Sequence, residues 1–314
     1  MHRVLLRIIK RSIIGFLVVI LAAAVILGSA WLLLPDGSEF KTENPQLTAM
    51  MRDYAAQKKL KQSEIRYQPV ALSQISKHLI HTIILSEDAR FYTHPGIDLE
   101  ALKFAMETNF QRREYALGGS TITQQLAKNL YLKSRKSLFR KFAEIIIAYK
   151  MDRTLSKRRI LELYLNIAEF GPALFGAEAA SRYYFGIPAA ALNVDQATRL
   201  AALLPSPRKH SPHDGTKFTE TRRKRLLRWL MQTGYIDTLT YYQLKSGEAH
   251  PAAADSSVAE INPAADSLSQ EISADSSLGS LSEEEIVPLS VDKLLIPDNH
   301  DSLSEDPAST DPPK

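Results

Sequence analysis

Ile13 to Leu34 is a run of 22 residues without a charged side chain. At 1.5 Å of rise per helical residue it spans about 33 Å, against a hydrocarbon core of about 30 Å. Arg3, Arg7, Lys10 and Arg11 precede the run, and Pro35, Asp36 and Glu39 follow it. The positive flank of a span stays in the cytoplasm. An inside N-terminus is therefore expected, with everything after residue 34 outside. Trp31 falls near the outer end, where an indole prefers the interface. The competing reading is a cleaved leader cut near Gly28-Ser29-Ala30. A leader's apolar region is about 7–15 residues, and this run is longer and continues past the triplet. The expectation is an uncleaved, single-pass anchor.

Charge divides the rest of the chain. Residues 251–314 hold 14 Asp and Glu against two Lys, whereas residues 1–250 hold 37 Lys and Arg against 21 Asp and Glu. The overall charge of +4 hides this contrast. A basic body points to an anionic partner: nucleic acid, phospholipid head groups or a phosphate-bearing substrate. The chain has no cysteine, which excludes a disulfide scaffold, a thiolate zinc site and a cysteine nucleophile.

Five segments are expected: a basic N-terminus (1–12), the span (13–34), a polar connector (35–72), one folded domain (73–248) and an acidic tail (249–314). The connector has helix potential from Gln46 to Lys61. In the domain the pattern is helical nearly throughout. Ser73 is a candidate cap for a helix carrying Ile75, Leu79, Ile83 and Ile84 on one face. Leu138 to Leu155 repeats apolar residues at intervals of three and four. Asn193 and Gln196 make a capping box before Leu200. Thr221 to Met231 reads as a helix closed by Gly234. No run of alternating strands stands out, so the fold class is mostly α. The tail has no aromatic residue and repeats Ala-Asp-Ser at 254, 265 and 274. Such a segment buries too little surface to offset its ordering entropy and is expected to be disordered.

Three clusters carry chemistry. The first runs from Glu87 to Gly96 and includes Asp88, Arg90, Phe91 and His94. Glu87 ends an apolar helix face, and a carboxylate there is either paired or functional. Burial raises its pKa towards that of a general base; the alternative is a structural ion pair with Arg90 at i,i+3. His94 has no second histidine at metal spacing, and a structural hydrogen bond is favoured. No protein-built metal cage is visible.

The second cluster is Gly118-Gly119-Ser120-Thr121-Ile122-Thr123-Gln124-Gln125, followed by Lys128 and Asn129. Two glycines opening into hydroxyl and amide side chains at a helix start suit a phosphate or a sugar; an ordinary capped surface helix has the same look. The third is Arg140-Lys141-Phe142-Ala143-Glu144, whose three charges share one helix side. As a solvated face it is worth a few tenths of a kcal/mol. Lys157 to Asn166 reads mainly as a packing helix with a basic start.

Together these clusters resemble the family 51 peptidoglycan glycosyltransferases. The first matches Glu-Asp-x-x-Phe-x-x-His-x-Gly, the second Gly-Gly-Ser-Thr-Ile-Thr-Gln-Gln, the third Arg-Lys-x-x-Glu, and the fourth Lys-x-x-Ile-Leu-Glu-x-Tyr-Leu-Asn. The likeness covers roughly residues 65–235. Leu204-Pro205-Ser206-Pro207 and His210-Ser211-Pro212 depart from the family's fifth motif, which often has Asn before the last proline. Ser-x-x-Lys occurs at Ser38, Ser206 and Ser290, none of them opening a helix in a large domain. A monofunctional enzyme without transpeptidase activity is therefore expected.

The resemblance implies a lysozyme-like helical domain that polymerises lipid II on the outer face of the inner membrane. It makes Glu87 the general base and Glu144 the second catalytic carboxylate. Lys128, Arg140 and Lys141 would receive pyrophosphate. Ser120, Thr121, Gln124 and Asn129 would line the sugar and phosphate sites, with Asp88, Phe91, His94 and Gly119 counted in the same substrate site. Glu144 would either hold a divalent cation (Mg2+ or Mn2+) or orient Arg140 and Lys141; no organic cofactor is implied. The implied partners are lipid II, a lipid-linked glycan strand, the membrane and cell-wall synthesis proteins, not nucleic acid. Phe110 to Leu117 would be a mobile loop at lipid head groups. Two other readings stay open: a lytic murein-cleaving enzyme using Glu87 as acid, and a non-catalytic membrane scaffold.

Overall fold

The computed structural model describes residues 2–112, 118–134 and 137–247. Most of the loop expected at 110–117, and all of the acidic tail from 248 on, lie outside the described residues. Helices follow one another along the chain as α1 (His2–Leu33), α2 (Ala49–Lys58), α3 (Lys77–Glu87), α4 (Leu99–Arg112), α5 (Ile122–Tyr131) and α6 (Leu138–Thr154). They continue as α7 (Lys157–Ile167), α8 (Ala177–Phe185), α9 (Val194–Leu203), α10 (Lys217–Gln232) and α11 (Thr238–Ser246). The chain is mostly α, as its periodicity predicts.

The first helix stands apart. Its apolar stretch has a mean hydropathy of 2.8 and none of it is buried in the protein, so it is long and apolar enough to cross a membrane. Its last carbonyls have no helical partner. Lys150 on α6 supplies one: its Nζ donates to Trp31 O at 2.8 Å and to Leu34 O. The same ammonium lies 5.6 Å from the Trp31 ring centroid, and Trp31 packs against Tyr149 at 6.0 Å. A cation at a helix C-terminus also opposes the helix dipole. The anchor is thus tied to the body at one cap.

The body is built around α5, which packs on α2, α6 and α7. Ile122, Leu126 and Leu130, four apart, are buried on one side of it. Thr121 caps it and pairs reciprocally with Gln124. The other side carries Gln125 and Lys128, three apart and facing away from the core. In α3 the buried stripe is Leu79, Ile80, Ile83 and Ile84, which packs on α9 and α10. That stripe brings Glu87 to the helix C-terminus beside α5 and α10.

Three sequence expectations change here. The α3 cap is Ser76, not Ser73; Leu72–Gln74 is a separate 3-10 turn. Segment 35–72 is more than a connector. Met51 and Tyr54 are buried in the core, and β1 (Arg66–Tyr67) pairs in parallel with β3 (Leu174–Phe175), which pairs antiparallel with β2 (Glu169–Gly171). That small sheet is the third difference. Its strands are two or three residues long, too short for alternation to show. The Asn193–Gln196 box caps α9, and Gly234 has φ 75° after α10, as expected.

Candidate active site

Glu87 sits at the floor of a cavity of about 240 Å³, whose wall includes Gly119, Ser120, Arg222, Arg225 and Trp229. Gln125 Nε2 donates to Glu87 Oε2 at 2.9 Å, and Tyr164 OH donates to Gln125 Oε1 at 3.1 Å. The amide is thereby oriented by a buried tyrosine. Among the described residues no hydrogen bond reaches Oε1. Burial raises the Glu87 pKa, while the Gln125 hydrogen bond, Arg222 and Lys128 pull the other way. The expected alternative, an ion pair with Arg90, is not formed: Arg90 binds Asp98 and Glu100 instead.

Glu144 is the second carboxylate. It is only 3% exposed and accepts from Arg140 Nη1 at 2.9 Å and from Lys141 Nζ. This is not a solvated salt-bridge face. Lys141 Nζ also donates to Ser120 Oγ at 3.0 Å, and Ser120 lines the Glu87 cavity. Arg140 Nε is buried without a partner among the described residues. Lys128 joins the two carboxylates electrostatically. Its pKa is lowered, first by burial; Glu144 and Glu87 both oppose that, and Arg140 and Lys141 add to it. Lys128 thus acts on both carboxylates and Lys141 reaches Ser120 on the cavity wall, while Lys128, Arg140 and Lys141 are not themselves among the residues that line the cavity.

The remaining expected residues divide by burial. Gly119 lines the cavity, and a Cβ there would meet Leu102 at 3.1 Å. Asp88 ties the first cluster to the second: Oδ2 accepts from Ile122 N at 2.9 Å and Oδ1 lies 2.8 Å from His94 Nε2. Thr121 donates to Gly96 O at 2.7 Å. Gly96 has φ +81°, and a Cβ there would approach Ala148 O to 2.8 Å, so the turn is pressed against α6. Phe91 is fully buried in the core, and Gln124 is used by its cap rather than facing the groove. Asn129 is half-buried, with no contact to the groove among the described residues. The fourth motif is mostly scaffold: Asn166 pairs with the Val70 backbone at 2.9 and 2.8 Å.

Sequence reasoning missed Gln125, Tyr164, Arg222, Arg225 and Trp229 as groove residues. Gln125 and Tyr164 stood inside matched motifs. Arg222 and Arg225 stood in a run of basic residues from 222 to 225 that gave no reason to prefer one over another.

Two places gather carboxylates that a divalent cation could use. Both Glu144 oxygens are occupied by cations, and its other charged neighbours are positive. A hard divalent ion takes about six oxygen ligands, so Glu144 does not fit one. Asp88, His94 and Asp98 place ligand atoms within 4.8 Å of one another, a grouping their sequence spacing did not reveal. Composition alone would suit an ion. Arg90 already grips Asp98, and the Asp88 oxygens are engaged as above.

Comparison with known proteins agrees with the motifs. The family described as Transglycosylase matches residues 54–231. The biosynthetic peptidoglycan transglycosylase of Janthinobacterium sp. (strain Marseille) is 40% identical over 222 residues, 70% of this chain and 96% of that protein. The protein of the same name from Nitrosomonas eutropha is 42% identical over 196 residues, 62% of this chain and 80% of the relative. That of Bordetella avium is 47% identical over 170 residues, 53% and 71% respectively. The matched span holds both carboxylates and the cavity at Glu87, and on that footing the chain belongs to the transglycosylase family of glycosyltransferases.

Proposed function

We propose that this chain polymerises lipid II into glycan strands, as a membrane-anchored glycosyltransferase without transpeptidase activity. The observation that carries the reading is a half-buried carboxylate with one open oxygen, coupled through Lys128, and through Ser120 on the cavity wall, to the cluster of Arg140, Lys141 and Glu144. Glu87 Oε1 takes the proton from the acceptor's GlcNAc 4-hydroxyl. That oxygen bonds to C1 of the donor MurNAc as the C1–O bond to pyrophosphate breaks. Attack from the opposite face inverts the configuration from α to β. The undecaprenyl pyrophosphate leaves with the electron pair, and Lys128, Arg140 and Lys141 stabilise its charge. Glu144 holds Arg140 and Lys141 in place and keeps the empty groove from being purely cationic.

The anchor fits this chemistry, because both substrates are lipid-linked. The arginines before it put the N-terminus in the cytoplasm and the catalytic body on the outer side of the inner membrane. Apolar side chains beside the groove fit contact with acyl chains: Leu99 and Met106 on α4 and Leu138 and Phe139 on α6 are 65–90% exposed. A lytic enzyme would use Glu87 but leave the cations without a task, since its leaving group carries no phosphate.

The test is lipid II polymerisation by the purified full chain and its Glu87→Gln variant. The expected loss is at least about 10²-fold, typical of removing a general base. Retained polymerisation in the variant, or sacculus digestion by the parent, would overturn the reading.

A further inference from the structure

Arg222 lies outside all four motifs, yet it is the charge nearest the Glu87 oxygen that has no hydrogen bond. Its Nη2 is 3.8 Å from Glu87 Oε1, with the two side chains 24% and 15% exposed. That distance makes an ion pair rather than a hydrogen bond. The guanidinium therefore balances the carboxylate without occupying the lone pair that would accept a proton. Its Nε is buried and has no partner among the described residues. An unpaired buried donor costs free energy, so the guanidinium's own hydrogen bonds do not account for its placement. Both side chains line the same cavity.

We propose that Arg222 is a positioning residue: it fixes the Glu87 carboxylate from α10 and balances its charge, so that Oε1 points into the cavity ready to accept a proton. The inference rests on Glu87 acting as the base. The division of labour follows from which element brings each group. Gln125 on α5 holds Oε2, and Tyr164 on α7 holds Gln125. Arg222 on α10 faces Oε1. Lys128 on α5 also acts on Glu87 but is shared with Glu144, Arg140 and Lys141. Asp88, next to Glu87 on the chain, acts against ionisation. Arg225 stands behind Arg222 and opposes its charge. Of the two cations that reach Glu87, Arg222 is the one without a second carboxylate to serve among the described residues.

The sign of the effect is fixed. A nearby cation favours the ionised carboxylate, so its loss raises the Glu87 pKa. The base is then protonated over a wider acid range.

The test compares full-length parent, Arg222→Gln and Arg222→Lys in detergent. Glu87 is titrated directly by carbon NMR of labelled glutamate carboxyls, its signal assigned by loss in Glu87→Gln. In parallel, kcat/KM for lipid II polymerisation is measured against pH. In Arg222→Gln both midpoints should move up by about one pH unit or more, as expected for an opposite charge at this distance. On the acid limb that is a loss of roughly tenfold, shrinking towards higher pH. Arg222→Lys should restore most of the shift. An unmoved Glu87 midpoint in Arg222→Gln, with activity lowered equally at all pH, would mean a packing role and overturn the proposal. If the parent made no glycan at all, the proposed function would fail, while the NMR titration would still decide whether Arg222 balances Glu87.

Discussion

Glu144→Gln separates a structural carboxylate from one that manages charge for a ligand. In the parent, Glu144 is 3% exposed and bound to Arg140, which is 20% exposed, and to Lys141, which is 39% exposed. Losing a charge-assisted bond to a mostly buried partner costs about 1.5–3 kcal/mol. The bond to the more exposed Lys141 adds about 0–1 kcal/mol. The sum is roughly 2–4 kcal/mol, and one kcal/mol moves the Tm of a domain this size by about 2–4 °C. A fall of roughly 4–16 °C is therefore expected without ligand. The variant's groove also loses the anion that offsets Lys128, Arg140 and Lys141. Inorganic pyrophosphate should fill that role and bind the variant more tightly than the parent. A ligand at 100 times its Kd stabilises by about 2.7 kcal/mol, enough to recover most of the deficit. The assay is thermal unfolding of the detergent-solubilised full chain with and without pyrophosphate. Polymerisation should fall even as the anion binds better, because the cations are no longer held in register. Equal melting of variant and parent, or equal protection of both by pyrophosphate, would refute the reasoning.

Other outcomes follow from the same geometry. Glu87→Gln should melt no lower than the parent at neutral pH, and higher if anything. The folded carboxyl has a raised pKa, so the charged form weakens the fold as pH rises through that value, and the variant's advantage should vanish below the ordinary carboxylate range near about 4.3. Lys150→Ala removes the cap between anchor and body, worth about 1 kcal/mol; limited proteolysis between residues 34 and 41 should quicken while the Tm of the body is unchanged. A chain ending at residue 248 should polymerise lipid II at the parent's rate when purified, since the cavity among the described residues is lined by earlier positions; substituting Asp255 or Glu284 should likewise change nothing.

Much of the site was legible because motif and helix period agree. Glu87 at the end of an apolar stripe follows from spacing alone, whereas Gln125 stood inside a matched motif without being singled out. The capping box at Asn193 is local and needed no tertiary knowledge. What failed to show was set by distant partners. Ser73 and Ser76 both suit a cap, and the choice is made by where the chain turns: Ser76 N donates to Ala189 O at 3.0 Å and its hydroxyl to Leu192 O at 2.6 Å. No local rule sees a partner over 100 positions away. The same holds for β1, whose partner β3 follows by a similar interval, and for Phe91. A motif position fits ligand contact and core packing equally well until burial decides.

The groove also explains why the fixed residues of the first and second clusters need not all touch a substrate. Asp88 spends both oxygens on His94 and on the backbone of Ile122, and Lys157 reaches across to His94 O at 2.7 Å and to Asp152. These contacts lock the end of α3 to the start of α5. Glu87 and Gln125 depend on that lock, since they come from those two helices and must meet within hydrogen-bond distance. Catalytic geometry tolerates little slack: a misplacement of about 1 Å costs on the order of 10²-fold. A half-buried carboxylate pinned by an amide on one oxygen therefore needs a rigid helix junction behind it. Asp88 and His94 brace that junction, and Asp88 also lines the cavity beside Glu87, so one motif position serves both the packing and the site.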